Sequence, residues 1–195
     1  MAKIRPRKHA VQARSRATIA AIREATARIL AERGLGAVTT NAVAERAGVS
    51  IGSLYQYFPG RDAILADLLR DKLTALLDDI ETATEAPGFD AATRAMLTGL
   101  ARSYLARPAL ASALLYVETL IGDDAEIAGM RRRLGEAVVG FLVRHDISEP
   151  EIAARDIVAM TRALAMTAGL AGETDEAAVV DRMARAVSGY LGRTP

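Results

Sequence analysis

The spacing of apolar residues is the feature of this chain that most constrains its fold. Strands require β-branched and aromatic residues that alternate with polar ones over roughly 4–8 positions, and no segment has this pattern. Apolar side chains instead recur every three or four positions, as at Ile64, Leu68 and Leu69, which is the spacing of one helix face. Alanine, leucine, arginine and glutamate, which favour helices, dominate throughout. The sequence therefore predicts an all-α protein.

Glycine and proline divide this pattern into about nine helical segments. The first helix is predicted over residues 16–33 and ends at Gly34. Two short helices follow, one opened by Thr39 or Thr40 and stopped by Gly48, the other over residues 51–58. We predict a basic arm without fixed structure at 1–15, a three-helix domain at 16–60 and a second helical domain at 61–195.

Charge is distributed unevenly between these parts. The net charge of the whole chain is +1. Residues 1–61 hold eleven basic and three acidic side chains, a net charge of +8, whereas the remainder holds fourteen basic and twenty-one acidic ones, a net charge of −7. Such asymmetry indicates an anionic partner for the basic part.

Composition argues against several other classes of protein. With no cysteine, the chain has no disulfide, thiolate nucleophile or cysteine metal site. The two histidines, His9 and His145, lie far apart, and the acidic clusters at 78–81 and 123–124 lack a partner base, so we predict no catalytic residue, no metal and no cofactor. Uncharged stretches such as 163–172 fall short of the roughly 20 residues of a membrane helix, and no signal-like apolar segment follows the basic start. A cytoplasmic protein without membrane association is expected.

Two short helices joined by a tight turn containing glycine are the arrangement of a helix-turn-helix module. Val43, Ala44 and Ala47 are small enough for close helix packing, and Leu54 with Phe58 would fix the second helix to the core. The side chains left facing outward are small or carry hydroxyl and amide groups. Groups of this kind can approach phosphates and base edges in a DNA major groove.

This run resembles the DNA-binding domain of the TetR family of bacterial transcriptional repressors. The hallmarks of that domain are a threonine-initiated short helix, then Ala-Gly-Val-Ser, then Gly-Ser/Thr-Leu-Tyr-x-Tyr/His-Phe followed by a basic residue. Here Ala-Gly-Val-Ser occupies 47–50 and Gly-Ser-Leu-Tyr-Gln-Tyr-Phe occupies 52–58. The resemblance covers residues 17–69, and beyond residue 70 it extends only to helix number and length.

The resemblance implies that ten residues contact DNA. Thr39 and Thr40 would offer a hydroxyl and backbone amides to a phosphate, and Arg61 would pair with another phosphate. The family often has a lysine where this chain has Ile51, so one contact is expected to differ, and the isoleucine could touch a thymine methyl. The residues implied to face the groove or the DNA backbone are Ser50, Ile51, Gly52, Ser53, Tyr55, Gln56 and Tyr57.

The basic residues near the start of the chain allow two interpretations. Residues 1–16 contain six basic side chains and no acidic one. Such a segment could be a solubilising arm, or it could follow phosphates or enter a minor groove, as homeodomain arms do.

The family resemblance also implies that the second domain binds an effector and forms a homodimer. An apolar or amphipathic effector would contact a stripe that could equally be ordinary core, namely Met96, Leu100, Tyr104, Tyr116 and Leu120. Stripes on the last two helices suit a four-helix dimer interface, and they consist of Ile157, Met160, Leu164, Ala168, Met183, Val187 and Tyr190.

These observations favour a ligand-responsive repressor that binds a palindromic DNA operator as a homodimer and is released by a small-molecule effector. One alternative is a small all-α carrier or enzyme, against which stands the lack of a nucleophile–base pair. Another is a basic nucleic-acid binder without sequence specificity.

Overall fold

A computed structural model of the chain describes residues 8–121 and 124–193. Every regular element in these residues is helical, in agreement with the predicted all-α class. Nine α-helices and a single 3-10 turn, Leu35–Ala37, are found there. The helices are α1 (Lys8–Arg33), α2 (Thr40–Ala47), α3 (Ile51–Tyr55), α4 (Arg61–Ala83), α5 (Phe89–Leu105), α6 (Pro108–Ile121), α7 (Ala125–Arg144), α8 (Pro150–Leu170) and α9 (Glu176–Tyr190).

Two predicted boundaries are wrong. Helix α1 begins at Lys8 and not near Arg16, because alanine, arginine and glutamine in residues 8–15 extend the helix. The described part of the predicted arm is therefore helical, and residues 1–7 lie outside the described residues. Helix α3 ends at Tyr55 and not near Phe58, since Pro59 disfavours a helical conformation in the residue before it.

The chain separates into two compact units, the first ending at Leu68 and the second beginning at Leu69. In the first unit, α1, α2, α3 and the start of α4 share an apolar core. The Arg23 guanidinium fixes α1 to α4 by donating from Nε and Nη2 to the two carboxylate oxygens of Asp67, at 2.6 and 3.0 Å. The larger buried side chains of this core are Ile22, Ile29, Leu30, Val43, Leu54 and Ile64.

In the second unit, α5 packs against α8 and α9, and α7 packs against α8. Gly169 permits the close approach of α8, because a Cβ at this position would lie 2.9 Å from the backbone oxygen of Tyr104. The core of this unit includes Phe89, Tyr104, Phe141, Ile157, Met183 and Val187. In the described parts of both units, no helix has the length and apolar content to cross a membrane.

Candidate nucleic-acid interface and ligand cavity

The turn between α2 and α3 depends on the conformation of Gly48. Its φ of 67° and ψ of 30° lie in the left-handed region, which glycine enters without the steric cost that a Cβ would impose. The turn is closed by backbone hydrogen bonds from the Gly48 amide to the Glu45 oxygen, at 3.1 Å, and from the Val49 amide to the Ala44 oxygen, at 3.0 Å. The two short helices are thereby held in a helix-turn-helix.

Hydroxyl caps determine where the two short helices start. The Thr39 hydroxyl accepts a hydrogen bond from the Ala42 amide at 3.2 Å, and the Ser50 hydroxyl accepts one from the Ser53 amide at 3.0 Å. Each cap satisfies a backbone donor that has no partner within its own helix. The caps therefore fix the residue at which each helix begins.

All ten predicted DNA-contact residues lie in the first unit and are at least partly exposed. The tyrosine hydroxyl at the end of α3 and the threonine hydroxyl at the start of α2 are 3.3 Å apart, which brings Tyr55 and Thr40 together. Leu54 and Phe58 are buried, as expected for core residues. Among the ten, the exposed residues are Thr39, Ser50, Ile51, Gly52, Tyr55, Gln56 and Arg61, and the half-buried ones are Thr40, Ser53 and Tyr57.

Gly52 has no evident role in the fold. It lies within α3 on the exposed side, and a Cβ placed there would meet only the Ser50 hydroxyl, at 4.0 Å. A glycine inside a helix costs roughly 0.5–1 kcal/mol relative to alanine. A residue that weakens the helix without serving the packing is expected where another molecule approaches the backbone closely.

Several arginines that contribute to the positive charge of this unit form ion pairs. Arg46 makes two hydrogen bonds of 2.7 Å to Glu32, and the Arg61 Nε lies 3.1 Å from a carboxylate oxygen of Asp62. Up to Leu68 the unit has eleven basic and five acidic residues, so its net charge is +6. The first unit is therefore still positively charged, but its net charge is smaller than the +8 obtained when the boundary is placed at Arg61.

The second unit contains a cavity of about 500 Å³. Met96, Leu100 and Tyr104, three of the five residues predicted to contact an effector, line it. Tyr116 and Leu120 are not among its lining residues, and they are 58% and 55% exposed. This corrects the prediction for these two residues. They share the outer face of α6, whereas the inner face contributes Leu114 and Glu118 to the cavity.

Charged side chains lie at the wall of this largely apolar cavity. The Lys72 ammonium is 4.4 Å from the centre of the Tyr104 ring, and Arg162 also lines the cavity. The Glu118 carboxylate is paired with Arg131 at 3.0 Å. Burial lowers the pKa of Lys72 to about 8, an effect that Glu118 opposes and the positive charge of Arg162 reinforces. Burial also raises the pKa of Tyr104.

Lys72 and Arg162 were not predicted as cavity residues. The available signal was weak: Lys72 is the last of three lysines in the chain and interrupts the apolar stripe of α4. A charged residue within such a stripe is more often at the edge of a core. The place of Lys72 in the cavity follows only from how α4, α5 and α8 are packed together.

The predicted dimer stripes lie mostly inside the core of a single protomer. Ile157, Ala168, Met183 and Val187 are at most 8% exposed, because they hold α8 and α9 against α5. Met160 and Leu164 pack against the same core. This corrects the prediction for the four buried residues, since side chains buried in one protomer cannot form its outer surface. Met160 and Leu164 are half-buried, and their place in an interface stays a prediction. Of the seven residues, only Tyr190 is exposed, and its hydroxyl donates to Asp156 at 2.9 Å.

A different face of α8 carries exposed apolar side chains. Ile152 and Leu170, at the two ends of the helix, are 43% and 57% exposed, and Ala159 and Ala163 between them are also exposed. These residues follow one another at intervals of seven and four positions, which places them on one side of the helix. We call this set the α8 outer face.

A capped helix-turn-helix with a glycine-closed turn and an exposed polar second helix defines a class of DNA-binding regulators. Residues 22–68 match the family described as "Bacterial regulatory proteins, tetR family". The HTH-type transcriptional regulator PksA of Bacillus subtilis (strain 168) is 39% identical over 62 residues, which are 30% of each chain. The helix-turn-helix of this chain is thus similar to that of TetR family regulators, and its sequence match spans about a third of that relative's length.

Solved structures extend the similarity of fold to most of the chain. The TetR family regulator PfmR of Thermus thermophilus superposes with a TM-score of 0.75 at 19% identity, over 89% of this chain and 98% of that one. The fatty acid degradation regulator FadR of Bacillus halodurans has a TM-score of 0.75 at 17% identity, over 91% and 97%. The ketosteroid regulator KstR2 of Mycobacterium tuberculosis has a TM-score of 0.72 at 18% identity, over 89% and 94%.

Proposed function

We propose that this protein is a cytoplasmic, ligand-responsive transcriptional repressor that binds a palindromic DNA operator as a homodimer. The observation that carries the proposal is the exposed second helix of the helix-turn-helix, in which Gly52 leaves the backbone open to close approach. The net charge of +6 on the first unit supports the same conclusion, since phosphate neutralisation supplies much of the affinity of such proteins for DNA. The ten residues from Thr39 to Arg61 named above form the proposed contact surface.

A competition gel shift tests the proposal. The full-length protein is titrated against the DNA upstream of its own gene and against a scrambled duplex of equal length and composition, followed by a genome-wide selection for bound fragments. We expect a recovered sequence with dyad symmetry that binds at least about 1,000-fold more tightly than scrambled DNA. Equal affinity for all selected duplexes would instead indicate a nucleic-acid binder without sequence specificity, and no binding would favour a carrier.

Arg61 should contact a phosphate from the start of α4. Its ion pair with Asp62 is exposed, and such pairs contribute little energy, so a phosphate can replace the carboxylate. With about four phosphate contacts per subunit, the slope of log affinity against log salt concentration should be near −7. In Arg61→Ala the slope should become shallower by about one per subunit, measured by fluorescence anisotropy over a salt series. The matched control is Arg132→Ala on α7, and an unchanged slope in Arg61→Ala would remove Arg61 from the contact surface.

The α8 outer face is proposed as the centre of the dimer interface, in place of the buried stripes. Exposed isoleucine, leucine and alanine side chains on one helix face suit a helix-to-helix contact between two copies, because small residues let the helices approach closely. Two helix-turn-helix modules related by a two-fold axis would then read two half-sites of the operator.

Introducing a charge into this face should yield monomers. Ala163→Arg places a long charged side chain at its centre, so we expect the mass from size-exclusion chromatography with light scattering to fall from about twice 20.7 kDa to about 20.7 kDa. Operator affinity should drop by at least about 100-fold with it, because one module reads only half of the site. Ala95→Arg, at an exposed position on α5, is the control. A dimeric Ala163→Arg protein would place the interface elsewhere.

The effector is proposed to bind in the cavity of the second unit and to release the operator. It can do so only if it binds more tightly to the conformation with low affinity for DNA than to the one with high affinity. By this linkage, the operator must weaken effector binding by the same factor by which the effector weakens operator binding.

A further inference from the structure

We propose that the cavity of the second unit binds an amphipathic monoanion, a medium-chain carboxylate, whose head group lies beside Lys72 and Arg162. The apolar tail would occupy the remaining walls, which are built by residues such as Leu76, Met96, Leu100 and Leu114. The inference rests on the proposed function in one respect, since this anion would be the effector of the repressor.

The balance of charge at the cavity wall favours an anion. The charged residues of the lining are Lys72, Arg131, Arg155, Arg162, Glu118 and Glu151, a net charge of +2 that becomes +1 when Asp156, the partner of Arg155, is included. Arg131 is already paired with Glu118, at 3.0 Å, and Arg155 is paired with Asp156, at 3.1 Å. Within the described part of the chain, Lys72 and Arg162 form no ion pair. A partly buried cation without a counterion is costly, and an anionic ligand would remove that cost.

Lys72 is surrounded by ionisable groups from several helices. Tyr104 on α5, Glu118 on α6, Arg131 on α7 and Arg162 on α8 all line the same cavity. The low pKa of Lys72, about 8, reflects the burial of the ammonium and the proximity of a second cation. The Tyr104 phenol is protonated at neutral pH like any tyrosine, and burial raises its pKa further, so this hydroxyl is available to donate to a carboxylate.

The size of the cavity sets the size of the ligand. Its volume of about 500 Å³ lies within the range of roughly 300–1,000 Å³ that is typical of pockets for small organic molecules. A carboxylate with an aliphatic chain of about eight to twelve carbons is a ligand of this size class. Because Glu118 lies at the same wall, one negative charge suits the site better than two.

Isothermal titration calorimetry with sodium decanoate, 1-decanol and decylamine tests the inference without DNA. At pH 7 we expect decanoate to bind at least about tenfold more tightly than the alcohol or the amine. Lys72→Met and Arg162→Met should each weaken decanoate binding about tenfold and leave 1-decanol binding unchanged. The control Arg132→Met removes a charge paired at the surface with Glu136, away from the cavity, and should bind decanoate as the wild type does. Circular dichroism verifies that each variant is folded.

The pH dependence supplies a second readout. Decanoate affinity should fall above pH 8 in the wild type by about tenfold in total and then level off, because deprotonation of Lys72 removes the same charge as Lys72→Met. Lys72→Met should lack this dependence.

Three results would overturn the inference: equal binding of 1-decanol and decanoate, tighter binding of decylamine, or no binding of any acid from hexanoate to dodecanoate. Decanoate binding that leaves operator affinity unchanged would reject the role of the anion as effector. Failure of the gel shift without ligand would count against the proposed DNA-binding function alone, and the calorimetric result would stand independently of it.

Discussion

Replacing Gly52 with leucine should leave the fold intact and reduce the affinity for operator DNA by about 100-fold. A Cβ at this exposed position meets nothing closer than the Ser50 hydroxyl, at 4.0 Å. Leucine also favours a helix over glycine by up to about 1 kcal/mol, so the melting temperature should stay the same or rise. On the DNA side, a bulky group at the close-approach point should cost about 1.4 kcal/mol per subunit, a tenfold loss each, by displacing at least one contact.

The measurement is a gel shift paired with thermal unfolding of the same preparations. Gly129→Leu is the matched control, because Gly129 lies within α7 and a Cβ there meets only an arginine side-chain nitrogen, at 4.0 Å. It should bind operator DNA as the wild type does. A Gly52→Leu protein with undiminished affinity would show that α3 is not the element that approaches DNA, and this would remove the main support for the proposed contact surface.

Replacing Lys72 with methionine should stabilise the second unit by up to about 3 kcal/mol at pH 7. The pKa of Lys72 is about 8 in the folded protein against the ordinary 10.5, and each pKa unit corresponds to about 1.4 kcal/mol. Folding therefore disfavours the charged form of this side chain. Methionine has a similar length without the charge, so it removes the cost while filling the same space.

The effect should depend on pH in a defined direction. Below pH 8 both the folded and the unfolded protein carry the Lys72 proton, and the wild type bears the full cost. Between pH 8 and 10.5 the folded protein has lost the proton and the unfolded chain still holds it, so wild-type stability rises relative to the variant. The difference in melting temperature between the two proteins should shrink across this range and level off above it.

Arg132→Met is the control for this series, because its exposed side chain pairs with Glu136 four residues further along α7 and should change stability by no more than about 0.5 kcal/mol. If Lys72→Met were destabilised at pH 7, the ammonium would have to make a favourable interaction in the free protein. That result would contradict the proposal that the charge of Lys72 has no counterion until an anionic ligand binds.

The two units differ in how much of their structure could be predicted from local sequence signals. The helix-turn-helix is a local structure, since its caps at Thr39 and Ser50 and its turn at Gly48 involve residues within a few positions of each other. The corresponding sequence signals were therefore sufficient. The helical start of α1 at Lys8 was missed because the basic side chains there suggested an arm, although the same residues favour a helix.

For the long helices of the second unit, no local sequence signal shows which neighbouring element each helix face will contact. An apolar stripe identifies a helix face that will be buried, but it does not identify what covers that face. The stripes predict that Ile157 and Met183 lie in a dimer interface, yet these residues lie in the core of their own protomer. On α6, the pair Tyr116 and Leu120 was chosen for the cavity, but the opposite face turns inward.

Composition, helix caps and turns act over short distances along the chain, so they suffice to predict the all-α class, the separation of positive from negative charge and the helix-turn-helix. Tertiary structure decided which apolar stripes become core, which face of α8 remains exposed and which charges meet at the cavity. Those outcomes depend on contacts between residues far apart in the chain, as when Lys72 meets the ring of Tyr104. Burial then changes the pKa of Lys72, a property that this side chain acquires only from its packed neighbours.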